Sequence, residues 1–239
     1  MEETIVYKLI KLELKKNKIR PYLHAMGIIT LCVLGFLYTF AMIAYVGGDT
    51  DSAEFSNYHN IWVITNVLQM SAYAILSAVL FSTFVIKEYS GKNAILIFTY
   101  PINRKTLLNS KIVLIATLCL SSMLLGTIIS LLIFTMTEAV FPMISDSFTI
   151  GLFFKIIIET ILCAVFSLFI GVISASIGFR KYSIQTTIIV SVILASCTAN
   201  IVTTMIHTYI PFIIIWIVAA VLAGLSYLWL ISKVEDIEV

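Results

Sequence analysis

The chain has 239 residues, of which 60% are hydrophobic and only 12% are charged, and its formal net charge is +2. Soluble domains carry about 25% charged residues, so this composition excludes an ordinary water-soluble fold. The small net charge arises from basic residues beside apolar segments and gives no indication of a nucleic-acid partner.

An amphipathic segment, residues 1–21, begins the chain. A helix over residues 3–18 would carry its apolar residues on one side and most of its lysines elsewhere, the apolar ones being Ile5, Val6, Leu9, Ile10 and Leu12. This pattern predicts a helix on the cytoplasmic membrane surface, after which Pro21 turns the chain into the bilayer. The alternative is a basic tail that only determines topology.

Six long apolar blocks follow, each long enough to cross the hydrocarbon layer, which takes about 20 helical residues. They lie at about 22–46, 61–86, 112–137, 152–178, 183–206 and 210–232. The first is too long for the apolar core of a signal peptide, so it is interpreted as an uncleaved span. The sequence predicts an all-α integral membrane protein whose residues 1–239 form one transmembrane domain.

The basic residues indicate the orientation of these spans. Of the fifteen Lys and Arg residues, all except Lys155 lie in the N-terminal segment, the loop 87–111, the turn at 180–181 or the C-terminal segment. The loops near 47–60, 138–149 and 207–209 contain none. Because short loops rich in Lys and Arg stay in the cytoplasm, we expect a multi-pass protein of the cell membrane with both termini cytoplasmic.

The loop 87–111 is the longest one on the cytoplasmic side, and it has helical patterns of its own. Ser90 can cap a short helix over residues 91–99, Pro101 interrupts it, and Asn103 can cap a second helix that leads into the third span. The short helix carries an apolar group that needs a partner or lipid to cover it, formed by Ile95, Leu96, Ile97 and Phe98. This loop is therefore predicted to be a docking element.

Lys155 and Glu159 are the charged residues inside the apolar blocks. They are four residues apart on the fourth span, so they share a helix face and can neutralise each other. A position at the outer interface is favoured; the alternative is that the pair lines a cavity or lateral opening that cargo passes. His24, His59 and His207 form no cluster along the chain and are assigned no chemistry.

Motifs for catalysis and metal binding are absent. The sequence contains no phosphate-binding GxxxxGK[ST] loop, no HExxH, no GxSxG and no paired intramembrane aspartates. The four cysteines lie in predicted spans without metal-ligand spacing and are interpreted as small apolar residues. We expect no catalytic residue, metal or cofactor on this chain, which disfavours an intramembrane enzyme.

The loop 87–111 resembles the "KEYxxGT...PxSRxxxxxxK" loop of ABC-2 type transporter permeases. The resemblance rests on Lys87, Glu88, Tyr89, Ser90 and Gly91, then on Tyr100, Pro101, Ile102, Asn103, Arg104, Lys105 and Lys111. This chain departs from the pattern at Lys92 and Asn93, where a small residue or Thr is usual, and at Asn103, where Ser is common. Six spans, a surface helix and cytoplasmic ends are also similar to that family.

The resemblance implies a permease that works as a pair, with the same chain or a paralogue as the second copy. Each copy would be joined to one cytoplasmic ATP-binding subunit, which would hold ATP and Mg²⁺. Residues 88–99 would form a coupling helix seated in a groove of that subunit. The implied coupling residues are Glu88, Tyr89, Gly91, Ile95, Leu96, Phe98, Pro101 and Arg104.

The small outer loops are similar to those of bacterial permeases that move amphipathic peptides, including antimicrobial-peptide exporters and self-protection systems. By this analogy the cargo is an amphipathic peptide or other hydrophobic molecule that moves outward. The alternative from a different class is a stand-alone channel, carrier or assembly factor that is not coupled to ATP.

Overall fold

The computed structural model describes residues 9, 12–14, 19–51, 57–89, 104–144, 146 and 148–235. The regular structure of these residues is helical, and six helices are long and apolar enough to cross a membrane. These are α1 (Arg20–Asp51), α2 (Tyr58–Phe81), α3 (Arg104–Glu138), α4 (Ile150–Arg180), α5 (Ile184–Thr203) and α6 (Ile210–Glu235). The prediction of an all-α membrane protein with six spans is confirmed.

The bundle exposes apolar side chains and buries polar ones, which is the reverse of a soluble protein. Leu31 and Val46 of α1 are among the large exposed hydrophobic residues, whereas Gln69 and Ser77 of α2 are fully buried. In hydrocarbon the exposed apolar surface costs nothing, while buried polar groups bond to one another or to the backbone. The surface therefore matches a lipid environment.

Helix α2 lies at the centre of the bundle. In its most apolar stretch 72% of the residues are buried, against 17% for α6. It packs against α1, α3, α4 and α5, and its most extensive contact is with α4. Consequently α2 and α4 form the pair of helices around which the others are arranged.

Small residues allow α4 to approach its neighbours closely. A Cβ atom added at Gly171 would overlap Ser77 of α2, and one added at Gly178 would overlap Thr187 of α5. The Ser77 hydroxyl donates to the carbonyl of Ser167, 3.3 Å away, across the α2–α4 contact. The close approach thus joins van der Waals packing to an interhelical hydrogen bond.

A tight turn reverses the chain between α4 and α5. Tyr182 has a φ of 47°, in the left-handed region, and the Ser183 amide donates to the carbonyl of Gly178 at 3.1 Å. The Ser183 hydroxyl then accepts from the Thr186 amide at 3.3 Å and caps α5. Because this turn is short, α4 and α5 run antiparallel as neighbours.

Consecutive helices alternate in direction, so the bundle has two ends. At one end, called the Lys111 end, the Tyr227 hydroxyl donates to Asn109 Oδ1 at 2.7 Å. At the other, called the His59 end, the Tyr38 and Thr137 hydroxyls lie 2.8 Å apart. The basic residues predict that the Lys111 end faces the cytoplasm.

Two predicted cytoplasmic elements lie largely outside the described residues. Of the predicted surface helix, Leu9 and residues 12–14 are described, and these are helical. The predicted short helix over 91–99 is not among them. Helix α2 continues through a wider π-helical turn, Ser82–Ile86, to the point where that loop begins.

Candidate functional site

Lys111 is the centre of a buried charged cluster at the Lys111 end. It lies on α3 and is only 1% exposed. Its ammonium group donates to the carbonyl of Phe84, 2.8 Å away, and to the carboxylate of Glu88. A carboxylate oxygen of Glu13 lies 3.8 Å from the same nitrogen. One lysine thus joins α3, the end of α2 and the N-terminal segment.

The aromatic ring of Tyr89 completes this cluster. The Lys111 nitrogen lies 5.6 Å from the ring centroid, a cation–π distance, and the ring packs edge-on against Phe179 of α4 at 6.0 Å. A buried ammonium needs such partners because its desolvation is expensive without them. Through Lys111 and Tyr89 together, the cluster therefore connects the N-terminal segment, the end of α2, α3 and α4.

The predicted coupling residues divide into two groups. Glu88 and Tyr89 are buried inside the chain, and Arg104 begins α3. The remaining five, Gly91, Ile95, Leu96, Phe98 and Pro101, lie outside the described residues. The structure shows that Glu88 and Lys111, which flank the loop, are held together.

Glu159 is the centre of a second cluster, at the His59 end. It is 3% exposed. Its Oε1 accepts a hydrogen bond from the Tyr209 hydroxyl at 2.6 Å, and His59 Nε2 lies 3.0 Å from the same oxygen. These contacts join α4 to the first turn of α2 and to the turn between α5 and α6.

The partners of Glu159 differ from the sequence expectation. Lys155 is exposed, and its ammonium group lies 5.7 Å from the centroid of the Tyr209 ring instead of pairing with Glu159. His59, which was assigned no chemistry, is the closest basic group. The reason is that α2 begins at Tyr58, three residues before the predicted span, and this extra turn carries His59 to α4.

The surroundings of Tyr209 keep its hydroxyl protonated. Although the residue as a whole is exposed, partial desolvation of its hydroxyl, followed by the hydrogen bond to Glu159 and the charge of that carboxylate, raises the pKa of Tyr209. A neutral phenol can only help Glu159 as a donor, which is the role the geometry gives it. The other carboxylate oxygen, Oε2, is buried and has no hydrogen-bond donor among the described residues.

Along the membrane normal, the Glu159 cluster lies at the depth where α2 and α6 begin. Glu159 follows Ile150, the first residue of α4, by roughly 13 Å of helix. Its partners, however, come from the first turn of α2 and from Tyr209, directly before α6. The beginning of α4 thus extends past its neighbours, which favours a position of Glu159 near the interface over one at mid-membrane.

Polar contacts continue from Glu159 into the core along α2. The Thr160 hydroxyl donates to the carbonyl of Ile156 at 2.8 Å and lies 3.2 Å from the side-chain amide of Asn66. Gln69 donates to the carbonyl of Met123 at 3.1 Å and accepts from the Thr127 hydroxyl at 3.0 Å. These residues connect α2 to α4 and α3. They were not singled out from the sequence, because it does not show which helix each polar side chain faces.

Over the described ranges there is no group of three His, Cys, Asp or Glu residues arranged to hold a metal ion. The four cysteines are free, with Cys119 and Cys163 buried and Cys32 and Cys197 exposed.

A family model described as "ABC-2 family transporter protein" matches residues 9–196, well over half of the chain. The chain belongs to this family. It is also similar to a Bacillus subtilis (strain 168) protein named "Uncharacterized protein YcbO", with 26% identity over 186 residues, which are 78% of this chain and 80% of that relative. No solved structure matches the chain.

This ABC-2 family protein is therefore a multi-pass membrane protein and the permease subunit of an ABC transporter. Membrane subunits of this family work in the lipid bilayer with an ATP-binding subunit. The matched region contains Glu13, Glu88 and Lys111 of the first cluster and His59 and Glu159 of the second. Tyr209 lies beyond it.

Proposed function

We propose that this chain is the permease of an ATP-driven exporter that moves an amphipathic peptide or other hydrophobic cargo outward. A separate cytoplasmic ATP-binding subunit, which carries ATP and Mg²⁺, would bind the loop between α2 and α3. The permease would work as a pair, with a second copy of this chain or a paralogue. Both termini would lie in the cytoplasm.

The observation that carries this proposal is the Lys111 cluster. The loop begins after Glu88 and returns into α3, where Lys111 binds Glu88 and the carbonyl of Phe84 in the π-helical turn that follows α2. Movement of the loop would therefore move α2 and α3 together. The contact of Lys111 with Glu13 would transmit this movement to the N-terminal segment. Because α2 is the central helix, a displacement there reaches the whole bundle.

This arrangement separates two roles among the coupling residues. Ile95, Leu96 and Phe98 would supply the apolar surface that the ATP-binding subunit covers, and Gly91 and Pro101 would shape the helix that presents it. Glu88 and Tyr89 are buried against this chain's own residues. Their part in coupling would be to hold the loop in place, and Arg104 would begin the helix that receives the movement.

Lys155 and Glu159 are proposed to border the translocation pathway at the His59 end. Apart from Glu159 and the Lys111 cluster, the buried side chains of the described residues are apolar or neutral and polar. A passage between such helices suits cargo that partitions into the membrane more than a hydrophilic solute.

The test is to purify the tagged chain from its native cells in mild detergent and to identify bound proteins by mass spectrometry. We expect a near-stoichiometric ATP-binding subunit, at least tenfold reduced by Leu96→Asp, because a buried charge removes apolar binding energy. Leu96→Met is the matched control and should retain the subunit. A chain that purifies alone in both forms would contradict the proposal and favour a channel or carrier.

A further inference from the structure

Three chain segments that are far apart in sequence meet at Glu159. His59 belongs to α2, Glu159 to α4, and Tyr209 to the turn that precedes α6. Both donors converge on one oxygen, at 3.0 and 2.6 Å, and they lie 3.4 Å from each other. Hydrogen bonds to an ionised carboxylate are about twice as strong as neutral ones. This contact is therefore a strong polar tie between these segments.

The tie is incomplete in one respect. Glu159 Oε2 is buried without a donor among the described residues. Buried polar atoms without partners are rare, and each one lowers the stability of the conformation that buries it. If the segments separated, water would supply the missing bonds. The hydrogen bonds to Oε1 thus stabilise the present conformation, and the missing donor at Oε2 destabilises it.

We propose that Glu159, His59 and Tyr209 form a closure of the permease at the His59 end, intact in this conformation and broken when the path opens there. The closure rests on the proposed function, since it presupposes a path. Glu159 acts as a positioning residue whose charge holds the two donors. Lys155 is exposed and contributes no hydrogen bond to Glu159; its ammonium group lies 5.7 Å from the centroid of the Tyr209 ring.

A native cysteine provides the test. Cys163 lies one turn beyond Glu159 on α4 and is 1% exposed, so it is shielded while the closure holds. The probe is a charged, membrane-impermeant maleimide, which alkylates an accessible thiol. It is applied to open membrane sheets, where both faces are reachable, without ATP or a partner subunit. The protein retains Cys163, and the other three cysteines are changed to Ala.

We expect Glu159→Gln to increase the labelling rate of Cys163 about tenfold. This change corresponds to a decrease of about 1.4 kcal/mol in the free energy needed to open the closure. Glu159→Gln also removes a negative charge one turn from the thiol, which by itself favours the reactive thiolate. Tyr209→Phe keeps that charge and removes only the hydroxyl, so it is the decisive variant and should raise the rate as well. The double variant should label no faster than Glu159→Gln alone, because both changes break one contact. Tyr38→Phe, which removes another phenol at this end, is the matched control and should leave the rate unchanged.

A second single-cysteine protein separates closure from general loosening. It retains Cys119, a buried residue of α3, a helix that contributes no residue to the Glu159 cluster. If Glu159→Gln raises labelling of Cys119 as much as that of Cys163, the closure is overturned. Unchanged labelling of Cys163 in Tyr209→Phe also overturns it, whatever the rate in Glu159→Gln. Because the assay contains no ATP-binding subunit, its result is independent of whether such a subunit is captured.

Discussion

The substitution Lys111→Met tests how strongly the buried charged cluster holds the Lys111 end together. Methionine nearly preserves the length and volume of the side chain but removes its charge. The change leaves the carboxylates of Glu88 and Glu13 near an apolar group and takes the donor from the Phe84 carbonyl. Removing one partner of a buried ion pair costs about 3–5 kcal/mol in unfolding free energy.

This loss corresponds to a decrease of about 10 °C in the melting temperature, since 1 kcal/mol shifts a protein of this size by about 2–4 °C. The measurement is the fraction of monodisperse protein that survives heating in detergent, followed by size-exclusion chromatography. The matched control is Lys155→Met. That lysine is exposed and contacts an aromatic ring, so its loss should cost about 2 °C or less.

A second substitution, Glu88→Gln, shows whether the loss of stability comes from breaking the ion pair. In Lys111→Met combined with Glu88→Gln, a carboxylate no longer lies buried without a cation, so part of the stability should return. A melting temperature for Lys111→Met within about 2 °C of the control would refute the cluster as a structural anchor. The cluster would also be refuted as an anchor if the melting temperature of the double variant fell by the sum of the decreases in Lys111→Met and Glu88→Gln.

Gly171→Val should lower the melting temperature by about 3–10 °C, because the new side chain would overlap Ser77 where α2 and α4 touch. Gly224→Val is its control, since nothing lies within 4 Å of the added Cβ position; equal melting of the two variants would contradict this packing. Tyr209 gives a titration prediction. Glu159→Gln removes the carboxylate charge, so the pKa of Tyr209 should fall, although burial keeps it raised. The ultraviolet absorbance of phenolate, compared with Tyr209→Phe in each background, measures this shift, and an unchanged titration would count against the contact.

The sequence predicted the candidate sites less well than the helices. The four-residue spacing of Lys155 and Glu159 favoured a pair within α4, because spacing along one helix shows only that helix's own neighbours. The actual partners of Glu159 are His59 and Tyr209, separated from it by 100 and 50 residues. A histidine two residues before the predicted span was the sign that could have been used, had the start of α2 been placed one turn earlier.

At the Lys111 end the sequence identified the residues but not their relationship. Glu88 and Lys111 were both part of the loop that resembles the family pattern, and Glu88 was expected to meet a partner subunit. Their direct contact depends on α2 and α3 lying side by side, 23 residues apart along the chain. Glu13 was not singled out, since its role requires the N-terminal segment to lie beside Lys111 of α3.

Composition and the lengths of the apolar blocks were sufficient to determine the membrane class, the all-helical fold and the number of spans. The transfer of a 20-residue segment into hydrocarbon depends on that segment alone, so it can be evaluated without knowing what packs against it. The partners of buried charges depend instead on which helix faces meet, and these are chosen by packing across the whole bundle. Only the tertiary structure could therefore decide that α2 is central, that Lys111 joins the loop ends and that Glu159 binds His59 and Tyr209.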